Sequence, residues 1–323
     1  LAQADSMALQ QSIRDLDRAY KNFFRRVREG GKPGFPKFKS RRHARQSYRT
    51  NGGKVVDRNH IALPKLGNVR AKVSRPLQGR FMSVTVSLDA VGRYFATFPC
   101  TDVPSKDAIA ADREVGIDLG VETLATLSDG TKIGNPRHLK KYEHRLAREQ
   151  RRLSRRKGAR RGEKQSMRYL KQRKRVARVH AKIADARTDA LHKVTTMLAD
   201  ENQVLCMEDL NAKGMVRNHH LAKAVSDASF GEFARLLEYK CAERGRTLVK
   251  VDRFYPSSKT CSVCGHRLDA LSLSVRSWDC PSCGVHHDRD VNAARNILTE
   301  GKRILSNTEG TAGHAGTVAA ITA

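Results

Sequence analysis

Four cysteines constrain this chain more than any other feature. Cys261 and Cys264 are followed, after a 15-residue interval, by Cys280 and Cys283, giving the pattern C-x2-C-x15-C-x2-C. Two paired-cysteine turns at this spacing aim four thiolates at one point, the tetrahedral arrangement of a structural zinc site. With all four ligands supplied by protein, no open position is left for chemistry at the metal. Such a short ribbon has little apolar surface to bury, so the ion would supply much of its folding free energy, on the order of 10 kcal/mol. With four thiolates present, His286 and His287 read as structural or phosphate-facing groups rather than ligands. Cys100, Cys206 and Cys241 stand singly in apolar runs and read as buried thiols. Zinc thiolates beside free thiols point to a reducing compartment.

A second chemistry follows the ribbon at once. Asp288, Arg289 and Asp290 lead into VNAARNIL, where Val291, Ala294 and Leu298 fall at helical spacing, so a helix begins near Asp290. An aspartate at a helix start serves as an N-cap, and Asp288 is read as that group. Asp290 gains interest from two distant acids. The segment 114–120, EVGIDLG, reads as a strand carrying Asp118, and 123–127 as a second strand. A turn over 128–131, with Asp129–Gly130 at its centre, leads to a short third. After a long helical region, 203–208 reads as a fourth strand, whose period of two sets Val204, Cys206 and Glu208 on one face. A helix over 229–244 presents Phe230, Phe233, Leu237 and Cys241, with Gly245 past its end. A fifth strand over 247–251, the ribbon and the Asp290 helix complete the series.

This is the element order of the RNase H-like α/β fold. It places Asp118 on the central strand, Glu208 at the end of the next, and Asp290 at the head of the last helix. Three acids from distant positions would then converge. Converging carboxylates repel unless cations cancel their charge, and two Mg2+ ions about 4 Å apart would do so while serving phosphodiester hydrolysis. Taken singly, Asp118 and Glu208 also read as ordinary turn or surface acids.

Charge supplies the third constraint. Lys and Arg number 62 against 33 Asp and Glu, a formal net charge of +29, which implies a polyanionic partner. Aromatics are only 6 %, so the charge does not chiefly serve base stacking. The charge concentrates in a helical insertion over 138–200, an expected αα-hairpin with a break near Gly158–Gly162. Val179, Ile183, Ala186, Ala190, Val194 and Met197 mark its packed face. With few acids to balance it, the first arm reads as a phosphate-lined groove, which positions nucleic acid without reading its sequence. No apolar run is long enough for a membrane span, and the first residues do not read as a secretory leader.

The remaining segments are less specific. Residues 1–30 read as one helix with Leu9, Ile13, Leu16, Tyr20 and Phe24 as a packing stripe, ended by Gly30 and Gly31. Leu1 falls in mid-helix pattern without a methionine, as in a piece of a longer chain. Residues 32–43 form a basic linker. Residues 46–100 alternate as short strands, with Asp89–Gly92 as a turn, and suggest a small barrel. Its interspersed basic residues suit nucleic-acid binding and a solubilising surface equally. Residues 306–323 read as a disordered tail.

GIDLG at 116–120, MEDLN at 207–211, SSKTC at 257–261 with its ribbon, and DRDVNAARNI at 288–297 together resemble the TnpB (OrfB) proteins of bacterial insertion elements. These are similar to the compact ancestors of type V CRISPR effectors. LSRRK at 153–157, RVHAKIADARTDALHK at 178–193 and KTCSVCGH at 259–266 agree. The resemblance covers about residues 1–305 and is most specific over 116–297. It implies an RNA-guided DNA endonuclease with a RuvC-like site, in which Asp118, Glu208 and Asp290 are catalytic and hold Mg2+ or Mn2+. The four cysteines would hold Zn2+.

The implied plan assigns 1–31 to the end of a helical recognition region and 32–110 to a wedge-like, RNA-binding β-barrel. Residues 111–305 form the nuclease domain, with the basic helical insertion at 138–200 and the zinc ribbon at 255–287. The implied partners are a guide RNA from the element's own end and double-stranded target DNA, with one protein chain per RNA and no membrane, in the bacterial cytosol at the nucleoid. Guide pairing would read sequence while the protein reads a short flanking motif. Arg276 is read either as a phosphate guide or as a surface arginine. Two departures are visible: the family normally has further residues before the position of Leu1, and Phe230 stands where tryptophan is usual. Two other functions stay open. One is an RNA-guided or nonspecific DNA-binding protein that does not cut, as a repressor or inactive remnant. The other is a strand-joining transposase, for which no tyrosine nucleophile with a histidine pair is evident.

Overall fold

An amphipathic repeat opens the structure as helix α1 (Ser6–Arg28), capped by the Asp5 carboxylate, which accepts the Met7 N–H at 3.1 Å. The computed structural model describes residues 4–37, 46–104, 110–158, 165–272 and 274–310, for 308–310 the backbone alone. It divides into two compact units, 1–104 with 165–178, and 105–164 with 179–323. The apolar stripe of α1 does not pack as expected. Leu9, Ile13, Leu16 and Phe24 are 40 to 68 % exposed, and the buried residue is Gln11. Its amide donates to Asn51 Oδ1 at 3.2 Å and accepts from Arg49, which also pairs with Asp15 at 2.7 Å. Helix α1 therefore meets its neighbouring strand through its polar side.

Eight short strands follow: β1 (Ser47–Thr50), β2 (Lys54–Val55), β3 (His60–Leu63), β4 (Gly67–Arg70), β5 (Arg80–Phe81), β6 (Val84–Leu88), β7 (Tyr94–Thr97) and β8 (Cys100–Thr101). They hydrogen-bond as three small sheets, β1-β6-β7, β2-β3-β4 and β5-β8. Ile61, Leu63 and Val84 form a shared core with Val55, Val69, Phe81, Ala96 and Phe98. The turn at Asp89–Gly92 is held by the Asp89 carboxylate, which accepts the N–H groups of Val91 and Arg93. Strands β5 and β8, two residues each, are too short for periodicity to reveal.

The second unit is built on β9 (Arg113–Leu119), β10 (Thr123–Leu127), β11 (Lys132–Gly134), β12 (Asn202–Glu208) and β13 (Thr247–Val251), in the order β11-β10-β9-β12-β13. The first three are antiparallel; β12 runs parallel to both β9 and β13. Helices α2 (His138–Ser154) and α3 (Met167–Glu201, here from residue 179) make the first crossover; α4 (Ala212–Met215), α5 (His219–Ala228) and α6 (Phe230–Glu243) make the second. A small hairpin, β14 (Ser277–Asp279) with β15 (His286–Asp288), precedes α7 (Arg289–Gly310). The architecture is α/β.

Alternation along the strands divides the core. Val115, Ile117, Leu205 and Met207 pack with Phe230, Phe233, Leu236 and Leu237 of α6 and with Leu191 and Leu198 of α3. The intervening positions lie on the other face, where Cys206, Val249 and Val251 pack with Ile297 of α7. Helix α7 lies very close to this face. A Cβ on Gly116 would fall 2.0 Å from the Ala294 carbonyl oxygen, and one on Gly301 would fall 2.3 Å from Cys206 Sγ.

The buried line of α3 departs from the expected stripe. Val179 and Ile183 are buried, but it then passes through Leu191, Thr195 and Leu198, leaving Met197 36 % exposed. Steps of four follow the inclined ridge of a helix rather than its axis. The α6–α3 contact also encloses Lys240, 3 % exposed, whose ammonium donates to His192 O, Thr195 Oγ1 and Thr196 Oγ1 at 2.6 to 2.8 Å. Helix α7 continues to Gly310, into the segment expected to be a disordered tail; residues 311–323 lie outside the described residues, as do 159–164, which hold most of the expected helical break near Gly158–Gly162. Among the described residues no helix is long and apolar enough to cross a membrane.

Candidate active site

The register of β9 and β12 sets two acids side by side. Cys206 pairs with Gly116 and Met207 with Ile117, so one further step brings Glu208 abreast of Asp118. Neighbouring strands lie about 4.8 Å apart. Both acids sit on the α7 face of the sheet, where α7 enters. Asp288 caps that helix: its Oδ1 accepts the N–H groups of Asp290 and Val291, each at 3.1 Å, while Oδ2 pairs with Lys132 at 2.6 Å. Asp290 follows in the first turn.

The three carboxylates share one electrostatic environment. Burial, then the charges of Glu208 and Asp290, push the Asp118 carboxyl up to about 7, and Arg289 opposes this only in part. Burial raises Glu208 as well, offset by the Ser257 hydroxyl, which donates to Oε1 at 2.6 Å. Three half-buried acids beside one nearby cation are short of positive charge, a deficit that a divalent cation would relieve. The loop just beyond Asp118 borders a cleft of about 420 Å3 whose lining includes Arg137, Lys140, His220 and Lys223, with Glu122 and Asp227.

Sequence reasoning missed the residues that hold this arrangement. Ser257 is 6 % exposed, and its carbonyl accepts from Asn296 Nδ2 at 2.7 Å. Asn292 and Asn296, 1 % and 5 % exposed, both donate to Thr260 O, and Asn292 Oδ1 accepts the Ser262 N–H at 2.9 Å. The signal was there: two amides four positions apart on an otherwise apolar helix face.

The cysteine pairs form two near-identical turns. The Gly265 N–H donates to Cys261 O at 3.0 Å and the Gly284 N–H to Cys280 O at 2.8 Å. Both glycines have positive φ, 77° and 71°, which only glycine adopts without strain. The Sγ atoms of Cys261, Cys264, Cys280 and Cys283 lie within 4.8 Å of one another and could hold a metal ion. Burial opposes ionisation of Cys261, but the N–H groups of Cys264 and Val263 and neighbouring thiols bring it down to about 7. A thiol this acidic binds metal readily near neutral pH, and four soft sulfur donors suit zinc. Behind the cluster, His287 is buried against Trp278, with Nε2 3.0 Å from Cys261 Sγ. His286 is exposed and pairs with Asp279 at 2.7 Å, and Arg276 pairs with Glu122 at 2.9 Å on the surface. On α2, Arg145, Arg148 and Arg151 are exposed, as is Arg155 just past its end.

Comparison with known proteins gives a consistent result. A family model described as "Probable transposase", OrfB_IS605, matches residues 98–219, and one described as "Cas12f1-like, TNB domain" matches 230–297. A provisionally named RNA-guided DNA endonuclease of Streptomyces pristinaespiralis is 43 % identical over 305 residues, 93 % of this chain and 73 % of that protein. InsQ of Escherichia coli K12, with the same provisional name, is 35 % identical over 323 residues, covering 95 % of this chain and 77 % of that protein. A solved structure described as a Cas12f1–sgRNA–target DNA complex aligns at 17 % identity with a TM-score of 0.41, over 79 % of this chain and 67 % of that one, a match too loose to carry weight. At 43 % identity over nearly its whole length, the chain belongs to the TnpB (OrfB) family.

Proposed function

We propose that this protein is an RNA-guided DNA endonuclease of an insertion element, cutting by metal-dependent phosphodiester hydrolysis. The observation that carries the reading is the approach of Asp118, Glu208 and Asp290, close enough that the latter two raise the first. Family membership supports it independently, since the relatives named above carry that activity in their provisional names. On this reading the five-stranded sheet with α7 is an RNase H-like, RuvC-type nuclease core over 111–305. The basic helices at 138–200 bind phosphates. The strands within 32–110 form a wedge-like barrel for the guide RNA, and residues 1–31 end a recognition region. Cys261, Cys264, Cys280 and Cys283 hold structural Zn2+. Reduced thiols and a DNA substrate fit the bacterial cytosol.

Asp118, Glu208 and Asp290 would hold Mg2+ or Mn2+. When bound there, such ions supply polarisation of the attacking water and countercharge for the leaving oxygen. The chain's own part is positional. Adjacent strands present Asp118 and Glu208 side by side, the Asp288 cap fixes the helix start that carries Asp290, and Ser257 holds one oxygen of Glu208. Arg145, Arg148 and Arg151 contact phosphates and so hold the duplex without reading its bases.

The test is cleavage of a target duplex matched to a bound guide, in Mg2+, by the wild type and by Asp118→Ala, Glu208→Ala and Asp290→Ala. The expected result is guide-dependent cutting by the wild type and its loss in each variant with duplex binding retained. Full activity in any variant removes that residue from the site. Guide-dependent binding without strand scission by the wild type would replace the endonuclease with a binding protein.

A further inference from the structure

We infer that Ser257 is a positioning residue for Glu208, held in place by a two-asparagine clamp on α7 that fixes it relative to Asp290. The inference rests on the reading of Glu208 as an ion-holding carboxylate. Ser257 lies outside the sheet, in the segment leading to the first cysteine turn. Its hydroxyl donates to Glu208 Oε1 at 2.6 Å. A short hydrogen bond to one carboxylate oxygen fixes the rotation of the group and so the direction in which the second oxygen points.

The hydroxyl can do this only if its own backbone is fixed, and three features fix it. The Ser257 N–H donates to Tyr255 O at 2.8 Å, closing a tight turn. The Ser257 carbonyl accepts the Asn296 amide at 2.7 Å, and Thr260 O accepts both Asn292 and Asn296 at 2.7 and 2.6 Å. Asn292 Oδ1 takes the Ser262 N–H at 2.9 Å, so this side chain both donates and accepts. The two amides are almost fully buried. Buried amides with these bonds intact are costly to rearrange, because any shift leaves polar groups unsatisfied. The same helix carries Asp290 two residues before Asn292. Helix α7 thus supplies one acid directly and sets the aim of another through Asn296, Ser257 and Glu208. The three residues between Ser257 and Cys261 also join this clamp to the cysteine cluster.

The test measures ion binding first and cutting second. Zinc-loaded protein is titrated with Mn2+, and free Mn2+ is read by electron paramagnetic resonance. Wild type is compared with Ser257→Ala, and cleavage is measured against Mg2+ concentration. Removing an outer partner of a metal-holding carboxylate weakens affinity about 10- to 100-fold. The expected result for Ser257→Ala is therefore a rise of at least about 10-fold in both the Mn2+ dissociation constant and the half-saturating Mg2+ concentration, with the cutting rate largely recovered at high Mg2+. Ser257→Thr and Ser257→Val form a second pair, alike in shape and differing only in the hydroxyl. Thr must retain Mn2+ affinity where Val loses it. Unchanged affinity in Ser257→Ala, or equal loss in Thr and Val, overturns the proposal while leaving the endonuclease reading intact. A wild type that binds no Mn2+ through Asp118 overturns that reading, and this inference with it.

Discussion

Asp118→Asn is expected to stabilise the protein while abolishing cutting. The Asp118 carboxyl stands at about 7 in the folded chain against an ordinary 3.8. At pH below 3.8 it is protonated in both folded and unfolded chains and contributes nothing to the difference. Between 3.8 and 7 the unfolded chain ionises while the folded chain keeps its proton, so stability falls as pH rises; above 7 the penalty is complete. At 1.36 kcal/mol for each tenfold change in proton affinity, the limit is about 4 kcal/mol. Asp118 retains some solvent contact, so about 2 to 4 kcal/mol is expected. Urea unfolding of zinc-loaded, guide-free protein without Mg2+ measures it. The variant should exceed the wild type by that amount at about pH 8, and by less than about 1 kcal/mol at about pH 4. Added Mg2+ should stabilise the wild type and narrow the gap. A variant no more stable at alkaline pH, or a gap that ignores pH, would refute the reasoning that these acids crowd one another.

Three further outcomes are expected. Cys264→Ser should release zinc, measured as metal per chain by a chromogenic chelator, while His287→Phe, which keeps a ring against Trp278 but removes the nitrogen beside Cys261, should weaken zinc retention roughly 10-fold in chelator competition. Lys240→Met should lower stability by about 1 to 3 kcal/mol in urea unfolding, because it strips His192 O and two threonine hydroxyls of their shared donor, without changing the Mg2+ dependence of cutting. Replacing Arg148 and Arg151 together by alanine should weaken nucleic-acid binding alike for all sequences and reduce the slope of log affinity against log salt by about 2.

The parts of the molecule most legible in the sequence were those where one periodicity runs long enough to exclude another. The alternation in EVGIDLG and QVLCME gave both central strands and, through the period of two, the shared face of Asp118 and Glu208. The helical spacing after Asp290 gave α7, and Asp288 is its cap. The cysteine spacing gave the cluster outright, because two paired turns leave one way to converge. What stayed hidden depends on partners rather than pattern. The stripe on α1 reads as a core face, yet in the structure its contact with β1 runs through Gln11 and Arg49. Ser257 looks like one of many loop serines until Glu208 is placed beside it. The slanting line of Ile183, Leu191 and Thr195 on α3 depends on the crossing direction of α6, which no single-helix pattern contains.

Two glycines at the contact of α7 with the sheet, Gly116 on β9 and Gly301 on α7 itself, work as a ratchet. Gly116 admits the Ala294 carbonyl and Gly301 admits the Cys206 thiol so closely that neither site has room for a methyl group. Inserting or deleting one residue between Asp290 and Gly301 would shift the helix start by about 1.5 Å along its axis and about 100° around it, swinging the aspartate out of reach. That stretch should therefore tolerate no change of length.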